Sequence, residues 1–424
     1  MRVNIETERQ DLFDVSILIG MRIHIKGRVT ENALKKAFEN AVKTHEILGM
    51  RVGLDDENVA YYETAHNSLD NPNHEDSKIE NKNVLTFCTD NWLDIIKREE
   101  KKRFRIEEGE FLKAFVYEMD EGGCGILFLM HHLGGDGKSL VYFIETFMNE
   151  LSGLNSNELV ENEKVLEIRT IPAGDMSEEA LKDKIGPLAI VPKIYNAKWQ
   201  KEEKRRTFDF SDLDEAYETY WNDKSSSIQE YVISPERVSK ILSRCKEWNI
   251  GFTAYLTTSF LRWKGTRMDI GYAVDAREDG NRSMGNQATG ISIKYAYNYD
   301  KSFKYNAIKV QKLMTKKLED DEARLFVLSF MAAFDNSLLD ALNLEHAGTF
   351  SSKTSKKLAN LLGYGKKTKD LSITNLTRLD IPDIYGDFKL DYFSFIPPVI
   401  SYGKNVVGLA TLGDCTVMTL HRVK

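Results

Sequence analysis

The sequence predicts an α/β protein of the α+β sandwich kind, built as two lobes of similar pattern, each a mostly antiparallel sheet with helices packed beside it. Three observations predict it. The chain has 424 residues, beyond the size at which one hydrophobic core keeps growing. Segments with helical periodicity alternate with short strands in both halves. The turn Asp120-Glu121-Gly122-Gly123 separates two apolar runs in the manner of an antiparallel pair. The expected divisions are an N-terminal lobe over residues 1–165, an inter-lobe crossover over 166–227 and a C-terminal lobe over 228–424.

In the first lobe Thr30 is the candidate cap of a helix whose Leu34, Phe38, Ala41 and Val42 recur at helical spacing up to about His45. A strand begins at 50–52. Residues 58–83, rich in Asn, Asp, Glu and Ser, read as long surface connections with one short strand at 59–62. The antiparallel pair is 111–119 with 124–130, and the second run, apolar throughout, suits a central strand. Beyond Asp136-Gly137, Leu140, Ile144, Phe147, Met148 and Leu151 mark one face of an amphipathic helix. Clear periodicity is then lost from 152 to 227. In the second lobe Ser234-Pro235 opens a helix with a cap and a first-turn proline, burying Val238, Ile241, Leu242, Cys245 and Trp248. A second helix starts at about Thr253, and strands follow at 269–274 and 291–297. Helices at 303–318 and 322–334 precede a β-rich end with strands at 371–376, 388–396, 406–412 and 416–422.

Hydrophobic residues make up 42% and charged residues 29% of the chain, and the formal net charge is −7. That balance argues against a broad phosphate-binding face, hence against a nucleic-acid partner. The Lys/Arg runs at 97–103 and 201–206 carry interspersed Glu and read as solvated helix faces or linkers; Lys353, Lys356, Lys357, Lys366, Lys367 and Lys369 form a purer cluster with the charge to meet a phosphate, for which the solvated reading is preferred. Cys88, Cys124, Cys245 and Cys415 lie far apart without metal spacing, which predicts reduced thiols in a cytoplasm, with Cys124 and Cys245 in the core. The N-terminus lacks the apolar segment of a secretory signal, and the longest apolar run, 125–130, is too short to span a bilayer, so a soluble protein without a membrane partner is expected.

The chemistry is sought in His131-His132-Leu133-Gly134-Gly135-Asp136-Gly137-Lys138-Ser139, which puts a titratable imidazole at the end of an apolar strand, before a turn and a helix. An imidazole's ordinary pKa of about 6.5 leaves the proton-accepting form available near neutrality, and burial favours it further. Other patterns fail on a needed residue. Gly137-Lys138-Ser139 ends like a phosphate-binding loop, but His132 stands where its first glycine belongs; His45-Glu46 begins like a zinc-protease helix, but Gly49 replaces the second ligand, leaving His45 a structural role. Asn281-Arg282-Ser283-Met284-Gly285 lacks the first glycine of a nucleophile elbow. No metal is expected.

His131-His132-Leu133-Gly134-Gly135-Asp136-Gly137 resembles the His-His-x-x-x-Asp-Gly signature of the superfamily that contains chloramphenicol acetyltransferase, the condensation domains of nonribosomal peptide synthetases and the alcohol O-acetyltransferases. The segment ending His45-Glu46-Ile47-Leu48, Phe104-Arg105-Ile106, Val274-Asp275-Ala276-Arg277 with Gly285-Asn286, and Ser372-Ile373-Thr374-Asn375-Leu376 are similar to family segments. The stretch from Asn375 to Pro382 resembles the alcohol O-acetyltransferase branch most. One departure is Thr377-Arg378, where many members have a glycine shortly after the asparagine.

The resemblance implies a V-shaped pseudo-dimer of two chloramphenicol-acetyltransferase-like lobes with a central tunnel. It implies an acyltransferase acting on a small-molecule acceptor, an alcohol or amine, with acyl-coenzyme A as co-substrate and no bound cofactor. His132 would be the general base, His131 a packing residue, and Asp136 a loop support paired with Arg277. Gly137, and Thr374 or Asn375, would offer contacts to the oxyanion or donor. The alternatives are a stand-alone condensation catalyst whose donor rides on an acyl carrier protein, and a non-catalytic binding relative.

Overall fold

Two six-stranded sheets carry the fold in the computed structural model, which describes residues 2–64, 82–120, 122–156, 165–365 and 368–424. The first runs, in spatial order, Ile384–Tyr385, Phe388–Ile396, Leu18–Lys26, Gly123–His131, Leu112–Asp120 and Val84–Phe87. Its pairs are antiparallel except the last, where Val84–Phe87 lies parallel to Leu112–Asp120. The second runs Ala288–Tyr295, Met268–Asp275, Leu371–Arg378, Asn405–Leu412, Cys415–Val423 and Ser226–Ile233. There Leu371–Arg378 is parallel to both neighbours and the remaining pairs are antiparallel. A third, antiparallel sheet joins Arg2–Asn4, Ala60–Thr64 and Met50–Leu54. This is the predicted class, an α/β protein with helices beside two mostly antiparallel sheets.

The strand Gly123–His131 is central, and all nine of its residues are buried, as its unbroken apolar run requires. On its helical side Phe128 meets Phe143 and Phe147 edge-on, with ring centroids 5.9 and 5.7 Å apart. Phe143 in turn meets Phe38 of the helix Glu31–Thr44 at 5.7 Å. Each buried ring contributes roughly 1.5–3 kcal/mol, so the helix Gly137–Ser156 is held firmly on the sheet whose strand precedes it. Thr30 caps Glu31–Thr44 as expected, its side chain accepting from the Ala33 amide.

Several elements differ from the sequence expectation. Residues 152–227 contain the helices Glu178–Ile185, Ile190–Glu203 and Phe210–Asn222. The middle one buries only Pro192 and Trp199, so it shows no apolar stripe. Asn336–Ala347, buried along most of its length, and Lys353–Leu362 are further helices that the sequence analysis did not anticipate. Ser234 caps Pro235–Trp248, but of the five apolar residues expected inside only Cys245 is buried, and Leu242 is 46% exposed. That helix flanks the smaller core, which covers its stripe only in part.

The strand Phe388–Ile396 lies within the stretch 228–424 yet pairs in the first sheet, with Phe393 opposite Ile23 and Phe395 opposite Met21. Alternating hydrophobicity identifies a strand but not its partner. The expected strand at 59–62 is Ala60–Thr64, while the connection over 65–81, the turn residue Glu121 and, in the lysine cluster, Lys366 and Lys367 lie outside the described residues. Among the described residues no single helix is long and apolar enough to cross a membrane; Asp321–Ala332 and Asn336–Ala347 reach that test only together, across a 91° bend.

Candidate active site

The motif leaves the central strand through a tight turn. His131, the last strand residue, caps the 3-10 turn His132–Gly134, its Nδ1 accepting from the Leu133 amide at 3.1 Å. Burial, then His132 and Arg103, push its pKa down to about 3, and its ring packs edge-on to Phe104 at 6.1 Å. Burial and these contacts favour the neutral ring of His131. Gly135 follows at φ +147°, where a Cβ would come within 2.4 Å of Ser139 Cβ, so only glycine fits the turn.

His132 is half-buried and lines a cavity of about 290 Å³ between the two large sheets. Its Nδ1 is buried without a hydrogen-bond partner. Burial lowers its pKa, with Asp136, its own backbone and Asp14 pulling the other way. The net direction keeps the imidazole neutral, the form that accepts a proton. Gly137 begins the helix beside it and also lines the cavity. A Cβ there would lie 3.0 Å from Leu376 Cδ2 and 3.2 Å from the Phe395 ring, so side chains from the C-terminal half press on the helix start.

Asp136 is buried and gives both carboxylate oxygens to Arg277, Oδ1 to Nη2 and Oδ2 to Nη1, each at 2.8 Å. It also accepts from the Ser139 amide at 3.0 Å and the Gln287 amide at 2.9 Å. Burial raises its pKa, but Arg277 and the two amides outweigh it and hold the carboxyl below the usual range. Arg277 follows the second-sheet strand Met268–Asp275 and further bonds Asp275 and the Ser139 hydroxyl. Its loop includes Gly285 at φ +136°, where a Cβ would strike the Arg169 carbonyl oxygen at 1.9 Å.

Thr374 lies on the cavity wall, contributed by Leu371–Arg378. Asn375 does not: its amide donates to Thr253 Oγ1 at 2.8 Å and its oxygen accepts from the Thr377 amide at 2.8 Å. Neighbouring strand residues face opposite sides, and of this pair only Thr374 lines the cavity. At the Thr377-Arg378 departure, Thr377 holds φ +60° and the register with Asn405–Leu412 shifts after Asn375. The backbone keeps a conformation that suits glycine although the residue is threonine.

One wall of the cavity carries no sequence motif. Thr7, Glu8, Gln10 and Asp11 line the same cavity, all buried. Tyr62 O–H lies within reach of both Glu8 Oε1, at 3.3 Å, and the Leu133 carbonyl, at 2.9 Å. Burial pushes Glu8 up to about 7 and Asp11 well above the carboxylate range. Arg9, between them, turns to Asp340 through bonds of 2.5 and 2.6 Å. The available signal was a run of six polar residues, Glu6 to Asp11, set between Ile5 and Leu12-Phe13.

Residues 16–166 match the family model of the condensation domain. The fold is that of known condensation-type and acetyltransferase structures. The first condensation domain of the CDA synthetase aligns with 100% of this chain and 90% of its own, at 14% identity and a TM-score of 0.64. The trichothecene 15-O-acetyltransferase from Fusarium sporotrichioides aligns over 99% of this chain and 91% of its own, at 10% identity and a TM-score of 0.64. Polyketide synthase associated protein 5 from Mycobacterium tuberculosis does so over 100% and 92%, at 10% identity and a TM-score of 0.58. A search of curated protein sequences finds no match.

Proposed function

We propose that the protein is an acyltransferase that moves an acetyl or longer acyl group from a coenzyme A thioester to an alcohol or amine, with His132 as general base. The observation that carries this reading is the imidazole of His132 on the wall of a cavity between the sheets, beside the start of a helix. The condensation-domain match and the fold shared with an acetyltransferase support acyl transfer as the reaction class. A cytoplasmic location belongs to the same reading.

In this reaction the imidazole takes the proton of the acceptor hydroxyl as its oxygen attacks the thioester carbonyl. The tetrahedral oxyanion then collapses, the C–S bond breaks, and the imidazolium returns its proton to the departing thiolate. Gly137, at the positive end of the helix dipole of Gly137–Ser156, offers its N–H to the oxyanion. The Thr374 hydroxyl is a second donor from the other sheet. Asp136, which also lines the cavity, and Arg277 hold the turn through their paired hydrogen bonds.

A second reading replaces coenzyme A by an acyl carrier protein, and the matching of a condensation-domain model favours it specifically. Incubation with acetyl-coenzyme A and a panel of short and long alcohols and amines separates the two. Thiol release that needs both an acceptor and His132 supports the first. Turnover of an acylated carrier with none of any coenzyme A thioester replaces it by the second, and binding without turnover of either leaves a non-catalytic protein.

A further inference from the structure

On the cavity wall, Glu8, Gln10 and Asp11 present acceptors that no cation among the described residues neutralises. Glu8, Gln10 and Asp11 are 2%, 9% and 7% exposed, and all three line the cavity with His132. Asp11 Oδ2 accepts from Asn286 Nδ2 at 3.0 Å. The Thr7 and Tyr62 hydroxyls lie 3.3 Å from Glu8, but each is nearer a backbone carbonyl, Ile171 at 2.7 Å and Leu133 at 2.9 Å. The amide oxygen of Gln10 is buried with no hydrogen-bond partner. Among the described residues no Lys or Arg pairs with either carboxyl: Arg9 is spent on Asp340, and Lys369, also on the cavity wall, is bound by Asp269 at 3.0 Å. Buried acceptors left in this state are costly. The group that would satisfy them brings several N–H donors and a positive charge.

We infer that the substrate carries a protonated primary amine, separate from its reacting group, which docks against Glu8, Gln10 and Asp11. The inference rests on the acyl-transfer reading and names the substrate class. An ammonium has three donors and no acceptor, matching three acceptor side chains. With its lone pair held by a proton, this nitrogen is a handle and not the nucleophile; the attacking group is a second one, near His132. Burial leaves both carboxyls easily protonated in the absence of a cation, and an arriving ammonium favours their charged forms. Among the described residues no group of three or more His, Cys, Asp or Glu is arranged to hold a metal ion, so a metal is the less suited occupant.

The amine sits on the acceptor or on the acyl chain of the donor, and two matched probe pairs distinguish these. For the acceptor they are 6-amino-1-hexanol and its neutral isostere 1-heptanol; for the donor, 3-aminopropanoyl-coenzyme A and butanoyl-coenzyme A. Calorimetric titration of the whole protein should show the charged member of one pair binding at least about tenfold more tightly, as expected when a desolvated charge finds its partner. Glu8→Gln and Asp11→Asn, near-isosteric changes, should bring that ratio close to one while each variant still melts cooperatively. Gln10→Leu, which leaves the charge unchanged, should lower it by less and serves if a carboxyl variant fails to fold. Equal binding within both pairs, or a preference that survives in the folded variants, overturns the inference. Because binding is read without turnover, a charged probe that binds but is never acylated would sink the acyl-transfer reading and leave the amine site standing. Thiol release from neutral acceptors with no preference for charge would do the reverse.

Discussion

Asp136 and Arg277, 141 positions apart in the chain, meet through two parallel 2.8 Å hydrogen bonds with side chains only 5% and 3% exposed, joining the turn of the first sheet to a loop of the second. Removing one partner of such a pair leaves a buried charge whose desolvation is no longer offset. Asp136→Ala should therefore lower the unfolding free energy by about 3–5 kcal/mol in urea denaturation. Arg277→Lys, which lacks the planar fork, should lose a smaller part of it. A loss under about 1 kcal/mol for Asp136→Ala would mean that the pair does not hold the turn.

His132→Ala should reduce thiol release by about a hundredfold to ten-thousandfold with little change in melting temperature, since the ring makes no hydrogen bond through its buried Nδ1. The pH profile gives an independent reading. Burial sets the folded pKa below the ordinary 6.5, and only the neutral ring accepts a proton. Turnover should thus be flat through neutrality and fall on the acid side, below 6.5. A rise centred above pH 7 would assign the base to another group.

Thr377 sits at φ +60°, a region that costs a β-branched residue on the order of 1–3 kcal/mol. Glycine removes that strain but is harder to order from the unfolded chain. Thr377→Gly should therefore be net stabilising, by roughly 0.5–1 kcal/mol, whereas Thr377→Val should not. Thermal melts of the three proteins decide the matter, and a destabilised glycine variant would contradict the strain.

Glu8 has a folded pKa of about 7 against an ordinary 4.5. Between those values the unfolded chain gives up a proton that the folded protein keeps, so the wild type loses stability as pH rises from 4.5 to 7 and no more beyond. That loss amounts to roughly 2–4 kcal/mol for a buried carboxyl shifted so far. Glu8→Gln does not titrate, so its stability relative to wild type should climb across the same window. Denaturation curves at pH 5 and pH 8 test this, and an unchanged difference between the two proteins would show that Glu8 is ionised throughout.

What the sequence disclosed was local. The motif, its strand and its helix are contiguous, and Leu140, Ile144, Phe147 and Met148 announce the helix by spacing alone. Leu213, Ala216, Tyr217, Tyr220 and Trp221 announce Phe210–Asn222 just as clearly, and Asp209 with Asp212 forms its capping box. That helix was legible but lay amid Asn, Glu and Lys that read as a linker. The acidic wall was not legible, because Glu8 and Asp11 acquire meaning only when folding sets them in the cavity with His132. Asn375 shows the converse: nearness in sequence to Thr374 says nothing about which side of a strand faces the site.

Phe388–Ile396 is lent by one half of the chain to the sheet of the other, and this makes the halves inseparable. A fragment ending at residue 165 would present Leu18–Lys26 as a naked sheet edge, flanked by Met21, Ile23 and Ile25, all fully buried in the whole protein. Such an edge invites pairing with another chain. The complementary fragment would carry Phe393 and Phe395 with no sheet to receive them. Cleavage after residue 165 should accordingly yield two pieces that stay together, and expressing either piece alone should give aggregates, whereas co-expression should restore a soluble complex.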